Sequence, residues 1–262
     1  MAVNTNTNIQ ILASLVDING KDEDKYRMLL DGKHVKYITV KPGVFPKNHR
    51  TFATGLIEIL PPFPPGDWNE GLISNHLLTE RPVFSRTTKS NLAGVENLWH
   101  YTEIDHLELK KVDCMRQHIH LVTHPLFNSP VVAKFIEFPW QTPDFEVETT
   151  VYEWIAGQEI GPEFLGHIME AGRCIGFIVE YIDGARTAEP ADLLACQSAL
   201  AKLHSVGIIH NDINKYNFLV RDEKAILIDF ESAEKCGEEE KLISEFLRLE
   251  HSLNDTSGSG GG

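Results

Sequence analysis

The stretch His210–Val220, HNDINKYNFLV, packs a histidine, asparagines, an aspartate and a lysine between apolar flanks. A helix is predicted just before it: LLACQSALAKLHSVG (193–207) puts Leu193, Cys196, Leu200 and Leu203 on one side, with Gly207 near its end. After it, NFLVRDEKAILIDF (217–230) reads as a hairpin whose apolar arms flank a turn at Asp222–Glu223. That hairpin returns Asp229 beside Asp212 and Asn217. A carboxylate to orient a hydroxyl, plus an amide oxygen and a second carboxylate for magnesium, are parts that phosphoryl transfer needs. Taken singly, each has a plainer reading. Asp212 and Asn217 suit a turn that caps its own backbone, Asp229 a strand end, and His210 a structural role.

Working upstream, SPVVAKFIEFPW (129–140) is a predicted strand with Lys134 inside an apolar run. A charge there needs a partner, because burying it alone is expensive. DFEVETTVYEWIAG (144–157) changes the period to a helix, with Val147, Val151, Trp154 and Ile155 on one face and Gly157 as its stop. Glu148 falls near the buried edge of that stripe. Lys134 on its strand can hold phosphate oxygens while Glu148 orients the ammonium. The order Lys, Glu, Asp, Asn, Asp is then a complete set for a reaction that runs on positioning and charge neutralisation.

The remaining segments carry less chemistry. HIHLVTH (118–124) puts His118, His120 and His124 on one strand face, but no Asp, Glu or Cys at useful spacing completes a metal set. FLGHIME and CIGFIVEYI are two strands joined through AGR, and DGARTAEPAD is a linker. HVKYITVKPGVF (34–45) has strand composition with a turn at Pro42–Gly43. ILPPFPPGDWNEG (59–71) is irregular because its prolines remove donors and fix φ; Trp68 is read as its pin against the fold. A last helix, about 237–253, carries Leu242, Ile243, Phe246, Leu249 and Leu253. The first eight or so residues and TSGSGGG at the end have little to bury and are expected to be disordered.

Composition sets the class. Of 262 residues, 42% are apolar and 24% charged, as in folded globular chains. A net charge of −14 repels phosphate backbones, so nucleic acid is not an expected partner. The four cysteines lie far apart and form no C-x-x-C pair. No basic leader and no run of 18 apolar residues occurs, so the expectation is a soluble cytoplasmic protein without a membrane partner.

HNDINKYNFLV matches the catalytic-loop pattern of the protein-kinase-like superfamily: His, any residue, Asp, four residues, Asn. LIDFE resembles the metal-binding segment that follows, 17 residues from Asp212 to Asp229. The loop is closer in style to aminoglycoside, choline and small lipopolysaccharide-type kinases than to regulatory protein kinases. More narrowly, LPPFPPGDWNEG, NLWH, IDHLEL, SPVVAKFIEFPW and IGFIVEYIDGAR resemble a group of small fungal kinase-like proteins. Those proteins are often called alpha-galactosidase A precursors, a label their motifs do not support.

The resemblance implies roles. Asp212 is the base or hydroxyl-orienting residue, Asn217 and Asp229 the Mg2+ ligands, Lys134 the phosphate-binding lysine and Glu148 its partner. His210 braces the loop, and the adenine of ATP lies against Glu180, Tyr181, Ile182 and Val132. Two departures stand out. No glycine occurs between Gly94 and Gly157, so bulkier residues around Asp113–His118 take the place of the glycine-rich lid. Only 33 residues follow Asp229, too few for a peptide-gripping platform. The expected fold is α+β and bilobal, with an N-terminal extension (1–95), an N-lobe (96–182), a reduced C-lobe (183–255) and a tail (256–262). A small-molecule acceptor is favoured, with an atypical protein substrate, a non-catalytic scaffold or nucleotidyl transfer left open. Nothing in the sequence fixes the oligomeric state.

Overall fold

The structure is a computed structural model, and it describes residues 8–255. The two termini expected to be disordered fall essentially outside those residues. The described chain is a mixed α/β fold that divides into two compact units, residues 1–93 with 137–139, and residues 94–136 with 140–262.

The first unit is a five-stranded sheet in the order β1 (Ile9–Leu15), β2 (Asp24–Leu30), β3 (His34–Val40), β4 (Glu70–Asn75) and β5 (Pro82–Thr88). β3 and β4 run parallel, and the crossover between them carries the short helices α1 (Lys47–Arg50) and α2 (Ala53–Ile59). Tyr26, Met28, Ile38, Leu56 and Ile73 make its core. Trp68 is the pin of the proline-rich loop: it stacks on Phe63 at 5.9 Å and donates its indole N–H to Pro64 O at 2.9 Å.

The second unit is built on a six-stranded sheet. Its strands are β6 (Glu103–Asp105), β7 (Lys110–Arg116), β8 (Ile119–Thr123), β9 (Val131–Phe135), β10 (Phe164–Glu170) and β11 (Arg173–Glu180), in the order β6-β10-β11-β9-β8-β7. The apolar runs of β9 and β11 make them inner strands, nearly all buried. Helix α3 (Thr142–Trp154) is opened by Pro143 and Asp144 in its first turn. Its buried residues are Thr142, Phe145, Glu148, Thr149, Val151 and Tyr152. This corrects the expected stripe. Val151 and Ile155 are inside, but Val147 is 38% exposed, because the buried face follows Phe145, Glu148, Tyr152 and Ile155 at helical spacing.

After β12 (Arg186–Thr187), a reciprocal cap between Glu189 and Asp192 leads into α4 (Leu193–Ser205), which buries Cys196, Ala199, Leu200 and Leu203. The chain continues through β13 (Ile208–Ile209), the hairpin β14 (Phe218–Arg221) and β15 (Lys224–Leu227), β16 (Glu234–Lys235) and α5 (Glu239–Leu253). Asp222 and Glu223 both have positive φ, 51° and 61°, the two-residue turn whose twist suits a hairpin. Among the described residues no helix is long and apolar enough to cross a membrane.

Candidate functional site

Lys134 lies on β9 between Ile119 of β8 and Phe177 of β11, with its side chain largely buried. Its Nζ lies 2.7 Å from Glu148 Oε2 and 2.5 Å from Asp229 Oδ1. Burial works against the ammonium, but the two carboxylates outweigh it and hold its pKa above the ordinary lysine value. Burial pushes the Glu148 carboxyl up, and Lys134 offsets this only in part. The other oxygen of Glu148 accepts from the Phe230 amide at 3.4 Å, which links α3 to the segment carrying Asp229. One cation therefore joins a strand, a helix and the end of a hairpin.

The loop at 210–217 is held from beneath. Gly207, at φ 72°, turns the chain out of α4, and His210 enters fully buried. Its Nε2 lies 3.1 Å from Ile228 O; a carbonyl only accepts, so Nε2 carries the proton. Burial keeps this ring neutral, with a pKa below the ordinary histidine value. Asn217 Nδ2 donates to Asp212 Oδ2 and to Asp212 O, both at 2.9 Å, and Asn214 Nδ2 donates to Asp212 Oδ1 at 3.0 Å. The Asp212 carboxylate is thus fixed by two amides while its residue stays exposed. The Ile228 amide donates to Asn217 O at 3.0 Å, so Asn217 and Asp229 begin and end one short span. Asn211 and Asp229 both sit at φ 65°, a left-handed conformation that short polar side chains tolerate and that gathers at functional sites.

Beside Lys134 and Asp229 lies a cleft of about 260 Å3, lined on one side by Val132, Glu180, Tyr181 and Ile182. The Glu180 amide is used within the fold, donating to Glu163 O at 2.9 Å. Among the described residues the Ile182 amide has no protein acceptor, which leaves a donor at the apolar end of the cleft. A larger cavity, about 810 Å3, shares Tyr152, Pro162, Glu180 and Ile182 with the cleft. It lacks Lys134, Glu148 and Asp229, all of which line the smaller space. Of the predicted set, Lys134, Glu148 and Asp229 line it, whereas Asp212 and Asn217 do not; they join it through Ile228, which lines the cleft and donates its amide to Asn217 O.

The donor set suits a hard cation. Asp229 contributes a carboxylate and Asn217 an amide oxygen with its NH2 already committed to Asp212. Magnesium bound through one or two side chains plus phosphate oxygens needs no more. Among the described residues no group of three or more His, Cys, Asp or Glu is arranged to hold a metal by itself. The three histidines of the 118–124 face have separate neighbours: His118 lies 3.2 Å from Gln141 Nε2, His120 stacks on Phe135 at 5.1 Å, and His124 meets Glu108 at 3.2 Å.

Residues 180–259 match the family model described as lipopolysaccharide kinase (Kdo/WaaP), which lies within the protein-kinase-like superfamily. No curated protein shows significant similarity to the chain. The matched segment runs from the cleft edge through the loop and Asp229 into α5. Lys134 and Glu148 lie outside it and are tied to it by the ion pairs above.

One residue of this centre was not foreseen. Glu245 of α5 is fully buried; it accepts from the Asn211 amide at 2.6 Å, the His210 amide at 3.1 Å and the His204 ring at 2.7 Å. Burial alone raises such a carboxyl, but these donors outweigh it and leave its pKa below the usual value. The signal was available: Glu245 lies three residues after Leu242 and four before Leu249, an acid on the apolar stripe.

Proposed function

We propose that the protein is an ATP- and magnesium-dependent phosphotransferase that acts on a small hydroxyl- or amine-bearing acceptor in the cytoplasm. The observation that carries this is the Glu148–Lys134–Asp229 bridge lining one cleft, with the Asp212–Asn217 pair joined to the same segment through the Ile228 amide. The match of residues 180–259 to a lipopolysaccharide kinase model supports phosphoryl transfer as the class of reaction, and a small acceptor over a peptide. Residues 96–182 and 183–255 serve as the two lobes of this reading.

The roles follow from position. Val132 and the Glu180–Ile182 edge receive the adenine. Lys134, oriented by Glu148, neutralises phosphate oxygens, and Asn217 with Asp229 would hold the magnesium, which supplies further charge neutralisation when bound. Asp212 orients the acceptor and takes its proton as the acceptor oxygen or nitrogen bonds to the γ-phosphorus. The bond from that phosphorus to the bridging oxygen breaks, and ADP leaves. His210 and Glu245 hold the loop still while this happens.

Thermal unfolding with and without ATP and magnesium, compared between the native chain and Asp229→Ala, tests the reading. Stabilisation of the native chain and its loss in the variant are expected. Transfer of label from γ-labelled ATP to the small-molecule fraction of an extract then tests the acceptor class. Label in proteins alone points to a protein substrate, and nucleotide binding without transfer to a scaffold.

A further inference from the structure

The segment in place of a glycine-rich lid is the β7–β8 hairpin, and its pairing contains an irregularity with a chemical consequence. Cys114 pairs with His120, but Arg116 pairs with Ile119, so two steps on β7 oppose one on β8 and Met115 is the extra residue of a bulge. With regular alternation Arg116 would share a face with Cys114 and His120, away from the cleft. The bulge moves it to the face of Ile119. Ile119 in turn pairs with Lys134, so Arg116, Ile119 and Lys134 stand on one cross-strand row with side chains on the same face. Two strand spacings separate the ends of that row, roughly 9–10 Å between Cα atoms.

All three residues line the cleft, together with Asp229. Of the seven residues of β7, only Arg116 is not exposed. Among the described residues its guanidinium has no carboxylate partner and no hydrogen bond, although the chain has 38 acidic against 24 basic residues. Lys134, by contrast, is already held by two carboxylates.

We propose that Arg116 is a phosphate-binding residue: swung into the cleft by the bulge at Met115, its guanidinium grips the polyphosphate of the bound nucleotide where a glycine-rich loop would use backbone amides. This rests on the nucleotide-binding reading above. A guanidinium presents a planar fork that matches two phosphate oxygens, and a side chain needs no close backbone approach. The missing glycines are then a change of device, and the lid binds through charge.

Calorimetric titration of the full chain with adenosine and with ATP, magnesium present, separates the possibilities. Arg116→Ala is expected to weaken ATP binding by about tenfold or more, the scale of a charge-assisted hydrogen-bond pair, and to leave adenosine within about twofold. Arg116→Lys is expected to recover part of the loss, since it keeps the charge and loses the fork. ATP affinity unchanged in Arg116→Ala overturns the proposal alone, as does an equal loss for adenosine, which marks a structural role. A native chain that binds neither ligand overturns the nucleotide reading and this proposal with it.

Discussion

Two buried ion-pair groups among the described residues are built to different ends. In the first unit Arg50 Nη1 lies 3.0 and 3.1 Å from the two oxygens of Asp24, with side chains 7% and 4% exposed. The set closes on itself: Arg50 also donates to Asp17 O, Asp24 accepts from the Asp17 amide, and Tyr26 OH donates to Arg50 O, each at 3.0 Å. In the second unit one ammonium faces two carboxylates, and Asp229, 26% exposed, opens on the cleft. One cation per anion, fully coordinated, is a structural joint. An excess carboxylate at a cleft wall leaves negative charge that the one ammonium does not balance.

Asp212→Asn perturbs the site and touches neither pair, so it sharpens the comparison most. Loss of the base proposed above is expected to lower kcat about 10²–10⁴-fold. Asp212 is exposed, and the unfolding midpoint should stay where it is. A large fall in stability together with activity would mean that the loop, not the carboxylate, had been damaged.

Arg50→Met breaks the closed pair and leaves Asp24 buried without its cation. A loss of roughly 3–5 kcal/mol is expected, read by faster hydrogen exchange at the amides of β2 and β3. Replacing both partners, Arg50→Met with Asp24→Leu, should recover most of it, because no uncompensated charge remains. If the single and double variants lose the same stability, the pair is not the closed joint described above.

Glu245→Gln tests the carboxylate beneath the 210–217 loop, which belongs with the structural joint in chemistry and with the candidate site in location. The amide keeps one acceptor oxygen but turns an NH2 toward donors from His204, His210 and Asn211. About 1–3 kcal/mol of stability should be lost. For a positioning residue kcat should fall about tenfold, while KM for ATP moves little.

The comparison also explains what could be read beforehand. That Lys134 meets Glu148 and Asp229, and Asn217 meets Asp212, was legible from their order along the chain, and hairpin β14–β15 was legible through its paired apolar arms. The buried face of α3 was misplaced because Val147 is apolar and Glu148 is not, yet tertiary pairing with Lys134 pulls the glutamate in. Glu245 was hidden in a helix rich in surface acids, where only its place on the apolar stripe distinguishes it. The Asp24–Arg50 joint was not legible at all, since 26 residues separate its partners and nothing local marks either one. Arg116 needed the register of β7 on β8, which a bulge changes without altering composition.

The smallest effect is a pH dependence that should run in opposite directions for binding and stability. Burial raises the Glu148 carboxyl to about 7. As pH rises through that value Glu148 loses its proton and completes the ion pair that orients Lys134, so nucleotide affinity should rise several-fold between about pH 6 and 8. Stability has the other sign: a carboxyl whose folded pKa lies above its unfolded value binds its proton more tightly when folded. Its contribution is complete below the unfolded value and is lost as pH rises through about 7. Glu148→Gln cannot titrate, and both profiles should flatten there. Arg50 is not a partner of Glu148 or Lys134, so Arg50→Met should shift the stability curve downward while the difference between native and Glu148→Gln slopes persists. If Glu148→Gln keeps the native slope in both measurements, another group governs the cleft and the excess charge on Lys134 is not what tunes it.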